Sequence, residues 1–221
     1  MFADSQLDRP LDELPLVFFD IETTGLEYAR CHIIEVAAVE FRGGKETARF
    51  SSFVKPIDPE QPATLFGKPV AAIPAEITRI TGIGREMVEG APEFEEIYPA
   101  LRKTFGEAIL VAHNAEFDLS FLAHKLEKMG EKCPANAILD TLKLSRALER
   151  GPGPHNMDYL KKKYGITAAK AHRALDDTLA LQEVFLKLAA QIPRSGPLKL
   201  RDLVKLHGPP LEFRVYPSQG R

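Results

Sequence analysis

The chain has 221 residues, 44% hydrophobic and 27% charged, which are ordinary values for a globular protein with one well-filled core. Its formal net charge of -2 provides no overall attraction for nucleic acid, so contact with phosphates would require a local basic patch or bound cations. Two cysteines, Cys31 and Cys133, exclude a disulfide framework and a cysteine-based zinc site. The sequence shows neither a signal-peptide pattern nor an apolar run of membrane-spanning length, and we therefore expect a cytoplasmic protein without membrane contact.

A buried strand near the N-terminus ends in two acids. Residues 16–21 are apolar except for Asp20 and are bounded by Pro15 on one side and by Thr23-Thr24-Gly25 on the other, which is typical of a strand covered on both faces. Because side chains alternate along a strand, Asp20 and Glu22 point to the same face. Two carboxylates so placed repel each other unless a cation or a proton lies between them, and hard oxygen ligands suit Mg²⁺ or Mn²⁺. An isolated Asp-x-Glu is more often the solvated end of an edge strand, so the metal hypothesis depends on acids elsewhere in the chain.

The first quarter of the chain predicts an antiparallel meander. Residues 1–15 are polar and interrupted by prolines, and we expect them to form a loose lead-in. A second strand over 32–41 and a third over 47–54 flank a tight turn at Arg42-Gly43-Gly44-Lys45. Glu35 interrupts the second strand, and we expect it to have a structural partner rather than a catalytic role.

The middle of the chain predicts a proline-rich loop, three helices and a fourth strand. Residues 56–69 show no clear period and are assigned to the loop. A short helix begins at Pro74 and ends at Gly82, and the spacing of apolar residues indicates an amphipathic helix near 94–105. A further turn of helix spans 85–88, and residues 109–112 form the fourth strand.

The next helix carries an acid on its apolar face. Asn114 is predicted to cap a helix over 115–129 that ends at Gly130. Asp118 shares one stripe, at intervals of four, four and three, with Leu122, Leu126 and Met129. This spacing turns Asp118 inward, whereas Glu116 aligns on the solvent face with Ser120 and Glu127. The alternative, an outward acid that only complements the helix dipole, does not fit that stripe.

The last main helix places a second acid inward. A fifth strand at 138–139 and helices over 141–148 and 157–164 precede it, and Lys161-Lys162-Lys163 is expected to be a solvated helix face, with phosphate contact as the alternative. Asp177 precedes Leu181 by four residues on the core stripe, whereas Asp176 lies on the solvent side. His172 would be rotated by about 140° from Asp177 on an ideal helix, so it can reach the same site only from the preceding loop.

The C-terminal residues 192–221 form a basic tail interrupted by prolines and glycines. Leucines between residues 198 and 206 predict a short amphipathic helix in this tail. Contact with nucleic acid, docking to a partner protein and packing on the main domain all remain open. We therefore divide the chain into a lead-in (1–15), one main domain (16–191) and the tail (192–221).

Three motifs in this order resemble those of the DEDDh, DnaQ-like 3′–5′ exonucleases. They are Phe19-Asp20-Ile21-Glu22-Thr23-Thr24-Gly25, then His113-Asn114-Ala115-Glu116-Phe117-Asp118, then His172 followed five residues later by Asp177. The likeness covers about residues 16–190 and is greatest to the proofreading epsilon subunit of bacterial DNA polymerase III. It implies an α/β, ribonuclease-H-like fold, with a mixed five-stranded sheet flanked by helices, in which residues 16–191 are the exonuclease domain.

The resemblance also implies roles for the motif residues. Two metal ions, Mg²⁺ or Mn²⁺, would be held by four acids: Asp20, Glu22, Asp118 and Asp177. Asp20 would bridge the two ions, Asp118 would support the second one through water, and His172 would take the proton from the attacking water. The terminal nucleotide would be contacted by the backbone of Thr23 and Thr24 and by the side chain of Leu26. Phe117 and His113 complete the substrate-binding set that the resemblance implies.

The function expected from these motifs is hydrolysis of single-stranded or frayed DNA from its 3′ end to nucleoside 5′-monophosphates, with proofreading beside a DNA polymerase subunit as one setting. One alternative is an RNA-trimming exoribonuclease of the same superfamily, because the motifs grip phosphate and say little about the 2′ position. The other is a catalytically silent module that binds nucleic acid or a polymerase. The presence of all five catalytic residues argues against that module, and DNA is the favoured substrate.

Overall fold

The computed structural model describes residues 4–57, 70–149, 153–167 and 172–216, and its central element is a five-stranded mixed sheet. Its strands are β1 (Leu16–Thr23), β2 (Ile33–Arg42), β3 (Lys45–Phe53), β4 (Ile109–Ala112) and β5 (Ile138–Asp140). Their order is β3-β2-β1-β4-β5, in which β1, β2 and β3 pair antiparallel while β4 is parallel to both β1 and β5. The mixed sheet and the antiparallel meander predicted from the sequence are therefore confirmed.

Helices cover both faces of this sheet. They are α1 (Asp4–Leu7), α2 (Ala75–Thr81), α3 (Arg85–Val88), α4 (Phe94–Phe105), α5 (Ala115–Met129), α6 (Thr141–Leu148), α7 (Met157–Tyr164), α8 (Ala174–Ala190) and α9 (Leu200–His207). Successive side chains of β1 point to opposite faces of the sheet, as the two-residue period of a strand requires. Val17 and Phe19 pack with α4 and α5, whereas Leu16 and Phe18 pack with α8. Most of the predicted loop at 56–69 lies outside the described residues.

Asn114 does not cap α5 in the predicted way. It precedes the helix, but its backbone is left-handed (φ 58°) and its side chain makes no capping hydrogen bond. Its backbone N–H instead donates to Asp140 Oδ1 at 2.9 Å, which joins the end of β4 to the end of β5. Asparagine tolerates this left-handed conformation better than most residues, so the tight strand-to-helix turn accounts for its presence.

The described parts of the lead-in and of the tail pack together against the domain. Leu11 and Leu14 are buried, so the described part of the lead-in is not loose, contrary to the expectation from its composition. The backbone N–H of Leu11 donates to the carbonyl of Leu198 at 2.7 Å, and Leu200 and Leu203 are fully buried. Of the three alternatives for the tail, packing on the main domain is the one the structure shows. No helix in the described part of the chain is both long and apolar enough to cross a bilayer.

Candidate active site

Three of the predicted acids converge at the C-terminal end of β1. One carboxylate oxygen from each of Asp20, Glu22 and Asp177 lies within 4.8 Å of the other two. Asp20 and Glu22 reach this point because they alternate with the apolar residues of β1, and Asp177 reaches it from the first turn of α8, which packs on the same strand. Three carboxylate oxygens at this separation form a donor set that fits a hard divalent cation such as Mg²⁺ or Mn²⁺.

Asp118 is inward, as its spacing predicts. Asp118 is 3% exposed, and its Oδ1 accepts a hydrogen bond from the backbone N–H of Ile21 at 3.2 Å. Asp118 is not a member of the group of three close oxygens. Its charge nevertheless acts on that group, since it raises the pKa of Asp20.

The electrostatics of the group favour a bound cation or a proton. Burial raises the pKa of Asp20 well above its usual value, and the charges of Asp118, Glu22 and Asp177 raise it further. The pKa of Glu22 is raised to about 8, first by burial and then by the charge of Asp177. The pKa of Asp118 is also raised well above its usual value by burial, although backbone hydrogen bonds oppose this. These carboxylates would retain protons near neutral pH in the absence of metal. A divalent cation that binds between them would displace those protons.

Lys161 belongs to this site, although the sequence places it in a run of three lysines expected to be solvated. Its Nζ donates to Asp177 Oδ1 at 3.0 Å and lies 3.2 Å from Asp158 Oδ1. Lys161 is 8% exposed, whereas Lys162 and Lys163 are exposed, so the expectation is wrong for Lys161 alone. The spacing contains the signal, because Lys161 follows Met157 by four residues on the stripe that packs against the core.

Glu35 has the structural partner expected for it. Its buried carboxylate accepts hydrogen bonds from Arg173 Nη2 at 3.0 Å, from Arg173 Nε and from the backbone N–H of Ala174. The guanidinium of Arg173 also stacks over the ring of Phe53, 4.9 Å from its centroid. These contacts fix the position of the N-terminus of α8. Because Asp177 lies in the first turn of that helix, they also fix the position of its carboxylate.

His172 lies on the loop before α8, as the rotation argument requires. Its backbone is left-handed (φ 59°), and α8 begins two residues later at Ala174. The side chain is half-buried. His172 therefore lies on a turn and not on the helix, and its catalytic role stays a prediction.

Three of the residues predicted to contact the terminal nucleotide, Thr23, Thr24 and Leu26, lie at or just after the end of β1. Leu26 is 59% exposed, so its side chain is accessible at the surface. The Thr23 hydroxyl donates to the carbonyl of Gly25 at 2.6 Å. The Thr24 backbone N–H already donates to His32 at 2.8 Å, so a substrate contact from its backbone would have to use the carbonyl.

The second motif contributes two further residues. His113 is held at the end of β4 with its Nδ1 2.8 Å from Thr141 Oγ1, and burial lowers its pKa to about 4, which keeps the ring neutral. Phe117 is partly buried and packs on Phe121 with ring centroids 5.0 Å apart. Asp140, which the sequence did not single out, positions this motif through its hydrogen bonds to Asn114 and to Leu142.

Comparison with known proteins gives relatives in both sequence and structure. The exonuclease family model RNase T matches residues 17–185. A PolC-type DNA polymerase III of Staphylococcus haemolyticus is 35% identical over 196 residues, which are 89% of this chain and 13% of that protein. The corresponding protein of Staphylococcus aureus is 34% identical over 198 residues, which are 90% of this chain and 13% of that protein. The chain therefore spans about one eighth of the length of these relatives.

Solved structures share the fold at low sequence identity. Exonuclease X in complex with 5′-overhanging duplex DNA has a TM-score of 0.60 at 23% identity, over 85% of this chain and 99% of that one. An E. coli exonuclease I complex with single-stranded DNA has a TM-score of 0.66 at 19% identity, over 82% and 42% of the two chains. The fold, the order of the motifs and the match to the family model agree: the chain belongs to the exonuclease family and is a DnaQ-like 3′–5′ exonuclease with a ribonuclease-H-like fold.

Proposed function

We propose that this exonuclease depends on divalent metal ions and hydrolyses single-stranded or frayed DNA from the 3′ end, releasing nucleoside 5′-monophosphates. The observation that carries this proposal is the convergence of Asp20, Glu22 and Asp177 within 4.8 Å at the end of one strand. Carboxylates gathered in this way are unstable as free anions, as the raised pKa of Glu22 shows, and a phosphodiester brings further negative charge. Cations are therefore needed before substrate can bind.

Asp20, Glu22 and Asp177 would hold one Mg²⁺ or Mn²⁺, and Asp20 with Asp118 would hold a second. When bound, two such ions stabilise the attacking and the leaving oxygens of an in-line displacement. Asp118 is buried, accepts a hydrogen bond from the backbone N–H of Ile21 and lies outside the group of three close oxygens. This position suits a residue that would contact the second ion through a water molecule.

His172 would supply the base. It accepts a proton from the attacking water, whose oxygen bonds to phosphorus while the bond from phosphorus to the 3′ oxygen of the preceding nucleotide breaks. The terminal nucleotide leaves with a 5′-phosphate, and the 3′ oxygen of the shortened strand takes up a proton from solvent to become its new 3′ hydroxyl. An imidazole can serve as a base at neutral pH, and the place of His172 on a loop allows it to reach the site beside Asp177.

A groove beside the site suits a strand of nucleic acid. It has a volume of about 680 Å³, reaches Thr24 and is lined by four cationic side chains, Arg30, Lys55, Lys125 and Lys128, which outnumber the two acids of the lining, Glu93 and Glu95. A local basic lining of this kind meets the requirement set by the net charge of -2, since phosphates need cations near the site and not over the whole surface. Leu26 would pack on the last base or sugar at the end of this path.

DNA is the substrate we favour because the relatives with the higher identity are named DNA polymerases, and two structural neighbours are complexes with DNA. On the basis of the same relatives, we propose that the protein proofreads beside a DNA polymerase in the cytoplasm. The second candidate is trimming of RNA. Its support is a neighbour with a TM-score of 0.63 and 15% identity, described as a 3′-exonuclease that recognises the histone mRNA stem-loop.

The test is a comparison of matched DNA and RNA oligonucleotides carrying a 5′ label, each in single-stranded, fully paired and 3′-mismatched form. We expect a ladder shortened from the 3′ end on single-stranded and mismatched DNA with Mg²⁺ or Mn²⁺, no product with EDTA, and nucleoside 5′-monophosphates by chromatography. An oligonucleotide blocked at its 3′ end is the control for direction. Faster cleavage of RNA would favour the second candidate, and a protein inert on every oligonucleotide would revive a silent binding module. Co-purification with a polymerase tests the proofreading role.

A further inference from the structure

Lys161 places a buried positive charge directly on one of the proposed metal ligands. Its Nζ is 3.0 Å from Asp177 Oδ1, and its side chain is 10% exposed. The second partner, Asp158, lies 3.2 Å away with a side chain that is 67% exposed and therefore weakly coupled through solvent. Asp177, whose side chain is 14% exposed, is consequently the partner that matters.

No other ion pair among the described residues engages a proposed metal ligand. Arg173 is also close enough to lower the pKa of Glu22, but its charge is matched by the bidentate contact with the buried Glu35. Lys161 has no such dedicated buried acid. Its charge is instead shared between the site and an exposed carboxylate, and it therefore contributes to the potential that an entering cation meets.

We propose that Lys161 sets the affinity of the acidic site for divalent cations, acting as a fixed internal counter-charge to Asp177. The inference rests on the proposed function, in which this site holds Mg²⁺ or Mn²⁺. Lys161 stabilises the cluster in the metal-free protein and repels an entering divalent ion, so the ion binds less tightly than the four carboxylates alone would allow. Lys161 touches neither the substrate nor the reacting atoms in this proposal, so it is not itself a catalytic residue.

The arrangement does not require Lys161 to leave when a cation binds. A carboxylate has two oxygens, so Asp177 can keep Lys161 on Oδ1 while its other oxygen serves a cation. Lys161 lies in the middle of α7 and faces the core beside Leu160, which keeps its charge near the site in both states. The effect is therefore a constant offset in affinity and not an on–off switch.

The experiment measures Mn²⁺ and Mg²⁺ binding by isothermal titration calorimetry at pH 8, without substrate, for the full chain and three variants at this position. Lys161→Gln keeps a hydrogen-bond donor for Asp177 but removes the charge, Lys161→Met removes both, and Lys161→Arg keeps the charge. Lys162→Met, on the exposed side of the same helix, is the matched control. Circular dichroism and the melting temperature report whether each variant folds.

We expect Lys161→Gln and Lys161→Met to bind Mn²⁺ about tenfold more tightly than the wild type, because repulsion between a single and a double positive charge at a few ångströms is removed. Lys161→Arg and Lys162→Met should remain near the wild-type affinity, and the metal-free melting temperature should fall in Lys161→Gln. Weaker binding in Lys161→Met with unchanged binding in Lys161→Gln would show that Lys161 only positions Asp177, and would overturn the inference. Unchanged affinity in both neutral variants would also overturn it. A wild type that binds neither ion would instead refute the proposed metal dependence itself.

Discussion

The Asp118 carboxylate accepts a hydrogen bond from the backbone N–H of Ile21, the residue between Asp20 and Glu22, at 3.2 Å. This N–H is available because β4 pairs with β1 only as far as Phe18, so the last part of β1 has no strand on that side. Asp118 therefore has two tasks, since it completes the edge of β1 and adds a negative charge behind the site.

These two tasks of Asp118 can be separated. We expect Asp118→Asn, whose amide oxygen can still accept from Ile21, to keep the melting temperature within a few degrees and to lose activity by about a hundredfold or more, because the site loses a charge that supports the second cation. Asp118→Leu should lose activity and, in addition, about 1–3 kcal/mol of stability, since the buried N–H is left unpaired. Activity assays and thermal denaturation measure the two effects. Full activity in Asp118→Asn would show that its charge is not used.

The two neighbouring acids of α8 should differ sharply. We expect Asp177→Ala to reduce activity by at least about a hundredfold and to abolish the thermal stabilisation by Mn²⁺, because it removes one of the three close oxygens. Asp176→Ala should keep most of the activity and the response to Mn²⁺, as it lies outside that group. The reverse ranking would contradict the facing of α8.

His172 should matter for the chemical step and not for metal binding. We expect His172→Ala to lower kcat by about 10² to 10⁴-fold, the usual contribution of a general base, while Mn²⁺ affinity stays within a few-fold of the wild type. Calorimetry measures the Mn²⁺ affinity and single-turnover kinetics measure the rate of the chemical step, both on the same preparation of His172→Ala and of the wild type. Loss of metal binding would instead assign His172 to the ligand set.

Metal-free protein should become less stable as the pH rises. Because burial and the charge of Asp177 raise the pKa of Glu22 from 4.5 to about 8, the folded state holds a proton that the unfolded state has already released. Stability is therefore full below about pH 4.5 and is lost as the pH rises through 8. Between pH 6.5 and 8 we expect a loss of about 1–2 kcal/mol, or a few degrees in melting temperature, that Mn²⁺ reverses. Glu22→Gln should show a smaller loss in the same denaturation scans, and an equal loss would assign the effect to other groups.

The tail should contribute to stability through His207. Its Nε2 accepts a hydrogen bond from the backbone N–H of Asp140 at 2.8 Å, and burial lowers its pKa below 6.5. We expect His207→Ala to cost about 1–3 kcal/mol at pH 7.5, since a buried N–H loses its acceptor. The lowered pKa means that this stabilisation is present above pH 6.5 and is lost as the pH falls, so the difference from wild type should shrink at pH 5.

Lys205→Ala, on the exposed side of α9, is the control for the His207 substitution and should change stability by less than about 0.5 kcal/mol. Equal melting temperatures for His207→Ala and Lys205→Ala at pH 7.5 would show that the tail adds nothing through this contact.

Periodicity was sufficient to predict the elements that create the site. The inward direction of Asp118 and Asp177 followed from their spacing to leucines within the same helices, and the place of His172 on a loop followed from a rotation of about 140°. These are local properties, so the sequence carries them directly. The mixed, five-stranded sheet was implied by the resemblance to the family, whereas the spatial order of its strands was not predicted.

Contacts between distant residues could not be predicted in this way. Ser120 shares the stripe of Glu116 and was expected to face solvent, yet it is 4% exposed because the backbone N–H of Tyr216, 96 residues later, donates to its hydroxyl. The partner of Glu35, Arg173, is 138 residues away. Local periodicity contains no information about such pairs, whereas the burial of Lys161 was present in its spacing and was obscured by the two exposed lysines beside it.

Leu211 exchanges backbone hydrogen bonds with Ile138 in both directions, at 3.2 and 2.9 Å, along the outer side of β5. The sheet therefore does not present that margin to a neighbouring molecule. A shortened enzyme ending at residue 191 would expose this margin of β5 together with the apolar surface that α9 covers. We expect such an enzyme to self-associate. The minimal fragment for expression should accordingly extend to residue 216.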